Sequence, residues 1–211
     1  MMLTSPMRLA IPLVLVVATM GVAGGPASAD SDRPAERPVV TAAGEPAVVG
    51  IRGAGRMDYP KEDDEVRIFV DARGVLLGDD QDAADDEGEG GPAARSWGTF
   101  RIQHLVPQTD GRPPLFNWGD FKVDCLRVDG SEVAVTGRIV EAGPYWQEFL
   151  ERKPTARMGL GFHIPAEGDG PARVSITPPA AAGQPEVPKC SVRPPDAEVV
   201  EGGYSVMDSR R

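Results

Sequence analysis

The residues from which this 211-residue chain could build a reactive or binding site are two cysteines, two histidines and a large excess of carboxylates. Cys125 and Cys190 are the simplest to read, because a lone cysteine pair in an oxidising compartment forms a disulfide; a metal pair or two free thiols are the alternatives. His104 and His163 lie too far apart for a His-x-x-x-His or His-Glu-x-x-His helix, so a histidine-rich metal centre is excluded and each reads as a structural or surface residue. No Gly-x-Ser-x-Gly elbow and no glycine-rich phosphate loop occurs, which leaves nucleophilic hydrolysis and nucleotide chemistry without a motif. Asp71, Asp120, Asp124 and Glu141 could act as a glycosidase-like pair only by converging in a cleft. The acidic run from Asp79 to Glu89 is the one local feature with a plausible ligand, calcium. Its spacing fails the EF-hand template, since counting from Asp80 puts Asp82 third but Ala84 fifth with no glycine at six, and a solvated charge run is the better reading. No catalytic, cofactor or metal residue is therefore assigned, and the chain is expected not to be an enzyme.

The compartment follows from the first residues. Arg8 is the only charge before Asp30, an apolar stretch runs from Leu9 to Met20, and Ala27-Ser28-Ala29 is a small-x-small cleavage pattern, so residues 1–29 are expected to be a removable signal peptide. The apolar run is shorter than the roughly 20 residues a spanning helix needs, and no later segment approaches that length. A secreted protein, possible association with the cell envelope included, is the expectation. The formal charge of −10 gives no electrostatic reason to seek nucleic acid or an anionic bilayer. Residues 30–46, rich in proline and charge, read as a disordered leader, and 47–208 as a single β domain. Within that domain 78–94 is an acidic mobile loop, and 178–196, with prolines around Cys190, is an extended crossing pinned by the disulfide.

Between these loops the apolar pattern has period two. Val66, Ile68 and Val70 alternate with Arg67, Phe69 and Asp71; Phe100 and Ile102 alternate with Arg101 and Gln103. Ala156, Met158, Leu160, Phe162 and Ile164 form the core face of a strand whose other face is Arg157, Gly159, Gly161 and His163. Val174 and Ile176, Val199 to Met207, and a glycine-rich Val48 to Tyr59 supply further strands. Asp129-Gly130 marks a hairpin. A three-residue loop, 128–130, pairs Cys125 with Val133, Val123 with Val135 and Phe121 with Gly137; it turns the sulfur of Cys125 inward and Lys122, Asp124 and Thr136 outward, leaving Asp124 tolerant of alanine. Gly143-Pro144 followed by Tyr145, Trp146, Phe149 and Leu150 predicts a short helix ending before Pro154, either a satellite of the core or a lid over a cavity.

The strings Arg95-Ser-Trp-Gly-Thr-Phe-Arg-Ile, Val123-Asp-Cys-Leu-Arg-Val, Val133-Ala-Val-Thr-Gly-Arg-Ile-Val and Glu201-Gly-Gly-Tyr-Ser-Val are similar to a group of small exported actinobacterial β proteins, described as hypothetical secreted or repetin-labelled. The resemblance spans Val48 to Met207 and implies a compact β domain with one disulfide; it carries no catalytic residue. The acidic loop and the 145–153 segment depart from it.

The fold expected is all-β, an antiparallel barrel or sandwich of seven or eight strands with one short helix and a Cys125–Cys190 disulfide. The function expected first is non-enzymatic binding or envelope association, with Trp97, Trp118 or Trp146 around a concavity. A barrel carrying a small apolar ligand is the alternative and needs an unfilled interior. An exported hydrolase, the third class, needs His104 or His163 beside a carboxylate and a serine in a cleft.

Overall fold

A computed structural model describes residues 45–61, 63–77, 91–181 and 183–210. The expected signal peptide, nearly all of the leader and most of the acidic segment lie outside the described residues. The described chain forms strands β1 (Ala47–Met57), β2 (Glu65–Leu76), β3 (Arg95–Val106), β4 (Leu115–Asp129) and β5 (Glu132–Ala142), then helix α1 (Pro144–Arg152) and strands β6 (Arg157–His163), β7 (Arg173–Thr177) and β8 (Ala197–Asp208). Each strand pairs antiparallel with its neighbours in sequence, and β8 returns to β1, so the sheet closes into a barrel. Of the two all-β architectures expected, the barrel is the one formed.

Alternation builds the interior. Val66, Ile68, Val70 and Ala72 of β2 are buried while their neighbours are not; on β6 Met158, Leu160 and Phe162 fill the interior, and the outward Arg157, Gly159 and Gly161 are buried as well. At mid-height Phe100 and Phe121 stack with ring centroids 4.5 Å apart, and Phe162 meets Tyr204 edge to face at 4.8 Å. The outward positions carry charge: Arg101 pairs with Asp120, and Glu201 lies between Arg56 and Arg67 at 3.2 Å from each. Among the described residues no helix is long and apolar enough to cross a membrane.

The central hairpin corrects the expected register. Gly130 is left-handed, with φ of 56°, but the turn is Gly130-Ser131 and the first pairs out are Asp129 with Glu132 and Val128 with Val133. Leu126 then faces Val135 and Cys125 faces Thr136, after which a bulge lets Val123 pair with Gly137 and Phe121 with Ile139. The bulge is required by the apolar pattern, which changes phase between Phe121-x-Val123 and Leu126-x-Val128; one extra residue keeps all four inward. Asp124 and Cys125 are the two residues at the bulge, on the outer side with Thr136. The expected burial of Val123, Val133 and Val135 is right, the loop length is wrong, and the sulfur of Cys125 points out of the barrel rather than in.

Outside the barrel that sulfur meets its partner. Cys125 and Cys190 are disulfide-bonded with Cα atoms 5.4 Å apart, and the proline-rich segment 178–196 lies as a strap across the outer face of β5 and β6. Gly159 and Gly161 make room for it: a Cβ at Gly161 would sit 2.7 Å from the Arg193 carbonyl oxygen, and one at Gly159 2.9 Å from Val192. Beneath the strap Arg157, only 7% exposed, donates to Asp124 at 2.8 Å and to the Val187 carbonyl at 2.6 Å. Thr136 donates to Asp124 and accepts from the Cys190 amide.

Three expected outcomes test this frame. Val135 is fully buried, so Val135→Asp should leave no cooperatively folded protein by circular dichroism, because an unpaired carboxylate in an apolar layer costs several kcal/mol against a total of about 5–15 kcal/mol. Asp124→Ala is not the mild change expected from an outward position: it strips buried Arg157 of its carboxylate and should lower stability in urea by about 2–3 kcal/mol. Reduction of the disulfide, which closes a loop with a sequence separation of 65, should cost about 4 kcal/mol on the chain-entropy account.

Candidate functional site

The barrel interior is packed at mid-height and open at one end. This is the end where β1, β3, β5 and β7 finish and β2, β4, β6 and β8 begin, so it carries the β1–β2, β3–β4, helix-bearing β5–β6 and strap-bearing β7–β8 connections. There a cavity of about 910 Å³ reaches down to Val66, Ile102, Phe121, Ile139 and Met158, all inward residues of the sheet. Small residues stand on its wall near the mouth: Ala156 just before β6 and Ala197 at the start of β8.

Helix α1 forms one wall. Pro144 opens it and Gly143 accepts from the amides of Trp146 and Gln147. Of the apolar face expected for this helix, Trp146, Phe149 and Leu150 pack on the barrel, while the Tyr145 side chain lies outside what is described; Trp146 and Phe149 line the cavity, and the Trp146 ring stands edge to face on Phe121 with centroids 6.2 Å apart. A Cβ on Gly119 would meet that ring at 2.7 Å, so glycine is what allows the helix to sit this close. Packing of Trp146, Phe149 and Leu150 against the core is the satellite arrangement expected for this helix, which stands at the side of the cavity.

The rim is polar. His104, on the inward face of β3, lines the cavity; its Nε2 lies 2.7 Å from Oδ2 of Asp64, and its ring is 5.2 Å from that of Tyr59. The Asp64 side chain is 4% exposed, and Nζ of Lys61 lies 2.9 Å from its Oδ1. The Lys61 ammonium, with His104 adding to it, holds the Asp64 carboxyl below the usual carboxylate range despite burial, which acts in the opposite direction. Across the β3–β4 ladder the partner of His104 is Asn117, 5% exposed, whose side-chain oxygen has no hydrogen-bond partner among the described residues. On the opposite rim Arg173 and Arg193 stand with Asp196 and Glu198, two charges of each sign, where β7 meets the strap and β8.

The other residues singled out from the sequence do not meet here. Asp71 faces outward between Arg52 and Arg73; Asp120 is held by Arg101 on the outer surface with Glu141 as its cross-strand neighbour; Asp124 lies under the strap. The cleft that a glycosidase-like pair requires is not formed by these four. His163 is at the far end of the barrel, bonded through Nδ1 to its cross-strand partner Glu132, and no hydrogen bond joins its ring to nearby Ser131. Trp97 is exposed on the outside, Trp118 lies under the Arg101 guanidinium at 4.9 Å, and only Trp146 reaches the cavity. Among the described residues no three His, Cys, Asp or Glu side chains gather as a metal set; the acidic run from Asp79 to Glu89 lies outside them. Asp64 and Asn117 were not marked by any motif or period, the first because it sits in a loop and the second because it is a lone polar residue on an otherwise apolar inward face; Tyr59, expected at the end of the first strand, lies just past it, since β1 stops at Met57.

No family model, no curated protein and no solved structure matches this chain. The cavity is accordingly interpreted from its own geometry.

The lowered carboxyl of Asp64 fixes the sign of a pH effect. Its contact with His104 and Lys61 favours the fold above the ordinary carboxylate pKa of about 3.9 and is lost as pH falls through the lower folded value. Asp64→Asn should therefore depress the melting temperature and loosen amides 58–64 to hydrogen exchange at pH 7. At about pH 3, below the ordinary carboxylate value, the gap between variant and parent should narrow.

Proposed function

We propose that the chain is an exported, non-enzymatic binding protein that holds a small, largely apolar molecule in the mouth of its barrel. The observation that carries this reading is the unfilled end of the interior, a cavity of about 910 Å³ floored by Phe121, Ile139 and Met158 and walled by Trp146 and Phe149. Small-molecule sites run to about 300–1,000 Å³ and combine apolar walls with a few polar groups, the pattern found here. Export is supported by the leader pattern and by the Cys125–Cys190 disulfide, which suits an oxidising compartment. The carrier reading is favoured over simple docking to an envelope component because Trp97 and Trp118 stand on the convex outside, whereas the one tryptophan at a concavity, Trp146, faces into the barrel.

The test is binding of N-phenyl-1-naphthylamine, an apolar probe that fluoresces when it leaves water. The parent protein should bind it saturably and quench Trp146. Ala156→Trp, which places an indole in the cavity from its wall, should weaken binding by at least about tenfold, or about 1.4 kcal/mol, with the circular dichroism spectrum retained. Ile139→Trp serves the same purpose from the floor. A parent protein that gives no saturable enhancement, or filled variants that bind as well as the parent, would sink the proposal.

A further inference from the structure

The last strand leaves one of its two edges open. Ser209 donates its amide to the Val48 carbonyl, and in the antiparallel ladder this turns the amides and carbonyls of Met207, Ser205 and Gly203 towards β1 and those of Val206, Tyr204 and Gly202 the other way. On that second side the β7 ladder ends at Glu198, and one further bond, from the Val199 amide to the Ala172 carbonyl, closes the seam. Among the described residues Gly202, Tyr204 and Val206 have no main-chain partner there. The register with β1 is unbroken from Gly202 to Asp208, so these groups stand in line, about 7 Å apart. The side chains of Tyr204 and Val206 pack on the core yet stay half-buried, whereas Val49 and Ile51 on β1 are buried. Space lies beside them: a hollow of about 650 Å³ is bordered by Val206 and by Ile164, Pro165, Ala166 and Asp169 of the β6–β7 connection. Residues 200–208 contain neither the lysine nor the proline with which exposed edges are commonly blocked.

We propose that β8 takes up an extended segment of another protein along its Gly202–Val206 edge, as an added antiparallel strand in which apolar and basic residues alternate. The edge is separate from the cavity and does not depend on the carrier reading. Main-chain bonds to the three open residues supply the affinity, and the surroundings select the side chains. Residues set opposite Gly202, Tyr204 and Val206 share their inward face, where Phe162 already meets Tyr204, so they are apolar. The residues between them face outward among carboxylates: Glu198, Glu201 and Asp208 are the only charges of β8, and the β6–β7 connection adds Glu167 and Asp169, both exposed. Glu201 and Asp208 are paired with arginines of this chain, whereas Glu167 and Asp169 have no ion pair among the described residues. A second copy of β8 would bring three more carboxylates and no base against this edge, which like-charge repulsion disfavours.

The experiment titrates the intact protein into a fluorescein-labelled peptide of alternating valine and lysine and follows its anisotropy. Binding should be saturable, and replacing every lysine by glutamate should weaken it at least about tenfold. The valines lie opposite the three open residues, so N-methylation of the valine amides should weaken binding about tenfold or more, and N-methylation of the lysine amides should spare it. Val206→Pro removes one edge amide without touching the β1 ladder and should weaken binding about threefold or more. By hydrogen exchange, the amides of Tyr204 and Val206 should exchange fast in the free protein and slow when the peptide is bound, with Ser205 and Met207 protected throughout. That measurement on the parent gives the same reading should Val206→Pro fail to fold. Absence of saturable binding, equal loss with either methylated peptide, or unchanged exchange at Tyr204 and Val206 overturns the proposal. So does a concentration-dependent dimer of the protein alone that slows those two amides, which would give the edge to a second copy.

Discussion

Closure of the barrel depends on its weakest seam. Strands β7 and β8 share two residue pairs, Arg173 with Glu198 and Val174 with Ala197, whereas β1 and β2 are paired along the whole of β1. So short a ladder is a poor fastening for a closed sheet, and the strap supplies what it lacks. From the outside the strap substitutes side-chain bonds for ladder bonds: Ser175 donates to the Arg193 carbonyl at 2.6 Å and Thr177 accepts from the Arg193 amide at 2.8 Å. The disulfide then anchors the strap to β4, and Glu186 ties it to Arg138 on β5 and Arg157 on β6. The same segment, through Pro178, Pro179 and Arg193, borders the cavity. The covalent bond that holds the barrel shut is therefore coupled by a few residues to the wall of the site, and the position of Cys125 outside the barrel is what makes this possible.

Much of that arrangement was legible in the sequence because it rests on local alternation. The period-two runs at Val66–Val70, Phe100–Ile102 and Ala156–Phe162 required an inside and an outside, and they have both. The helix was legible from Gly143-Pro144 and Pro154, and the disulfide from the count of cysteines alone. The hairpin was misread for a definite reason: the apolar phase changes between Val123 and Leu126, and a uniform alternation drawn through Cys125 hides a bulge that the residues themselves demand. Closure, by contrast, is a property of all eight strands together, so barrel and sandwich could not be separated by any one of them. The site was less legible still. His104 was marked only as a lone histidine, and its partners Asp64 and Tyr59 come from a loop, Asn117 from the neighbouring strand and Trp146 from the helix. Contacts among elements separated by 40 residues, as between Asp64 and His104, leave no spacing to read.

The distribution of side-chain size inside the barrel argues that the open end is a feature of the design rather than a defect in packing. At mid-height the sheet uses Phe100, Phe121, Phe162 and Tyr204, and the first two stack closely enough to exclude anything else. One level up the inward residues include Gly119, Ala156 and Ala197, and the largest ring available, Trp146, comes from the helix and stands at the wall. Apolar surface left facing water forgoes about 25 cal/mol for each Å² that packing would have buried. A larger residue at Ala156 or Ala197 would recover part of that. The wall is also not simply unfinished, since Trp146, Gly119 and Phe121 fit one another to within van der Waals contact. An interior that is tightly packed at one level and empty at the next, with a polar cluster placed where the empty level meets water, has the form of a site that becomes complete when a molecule with an apolar body and a polar end fills it.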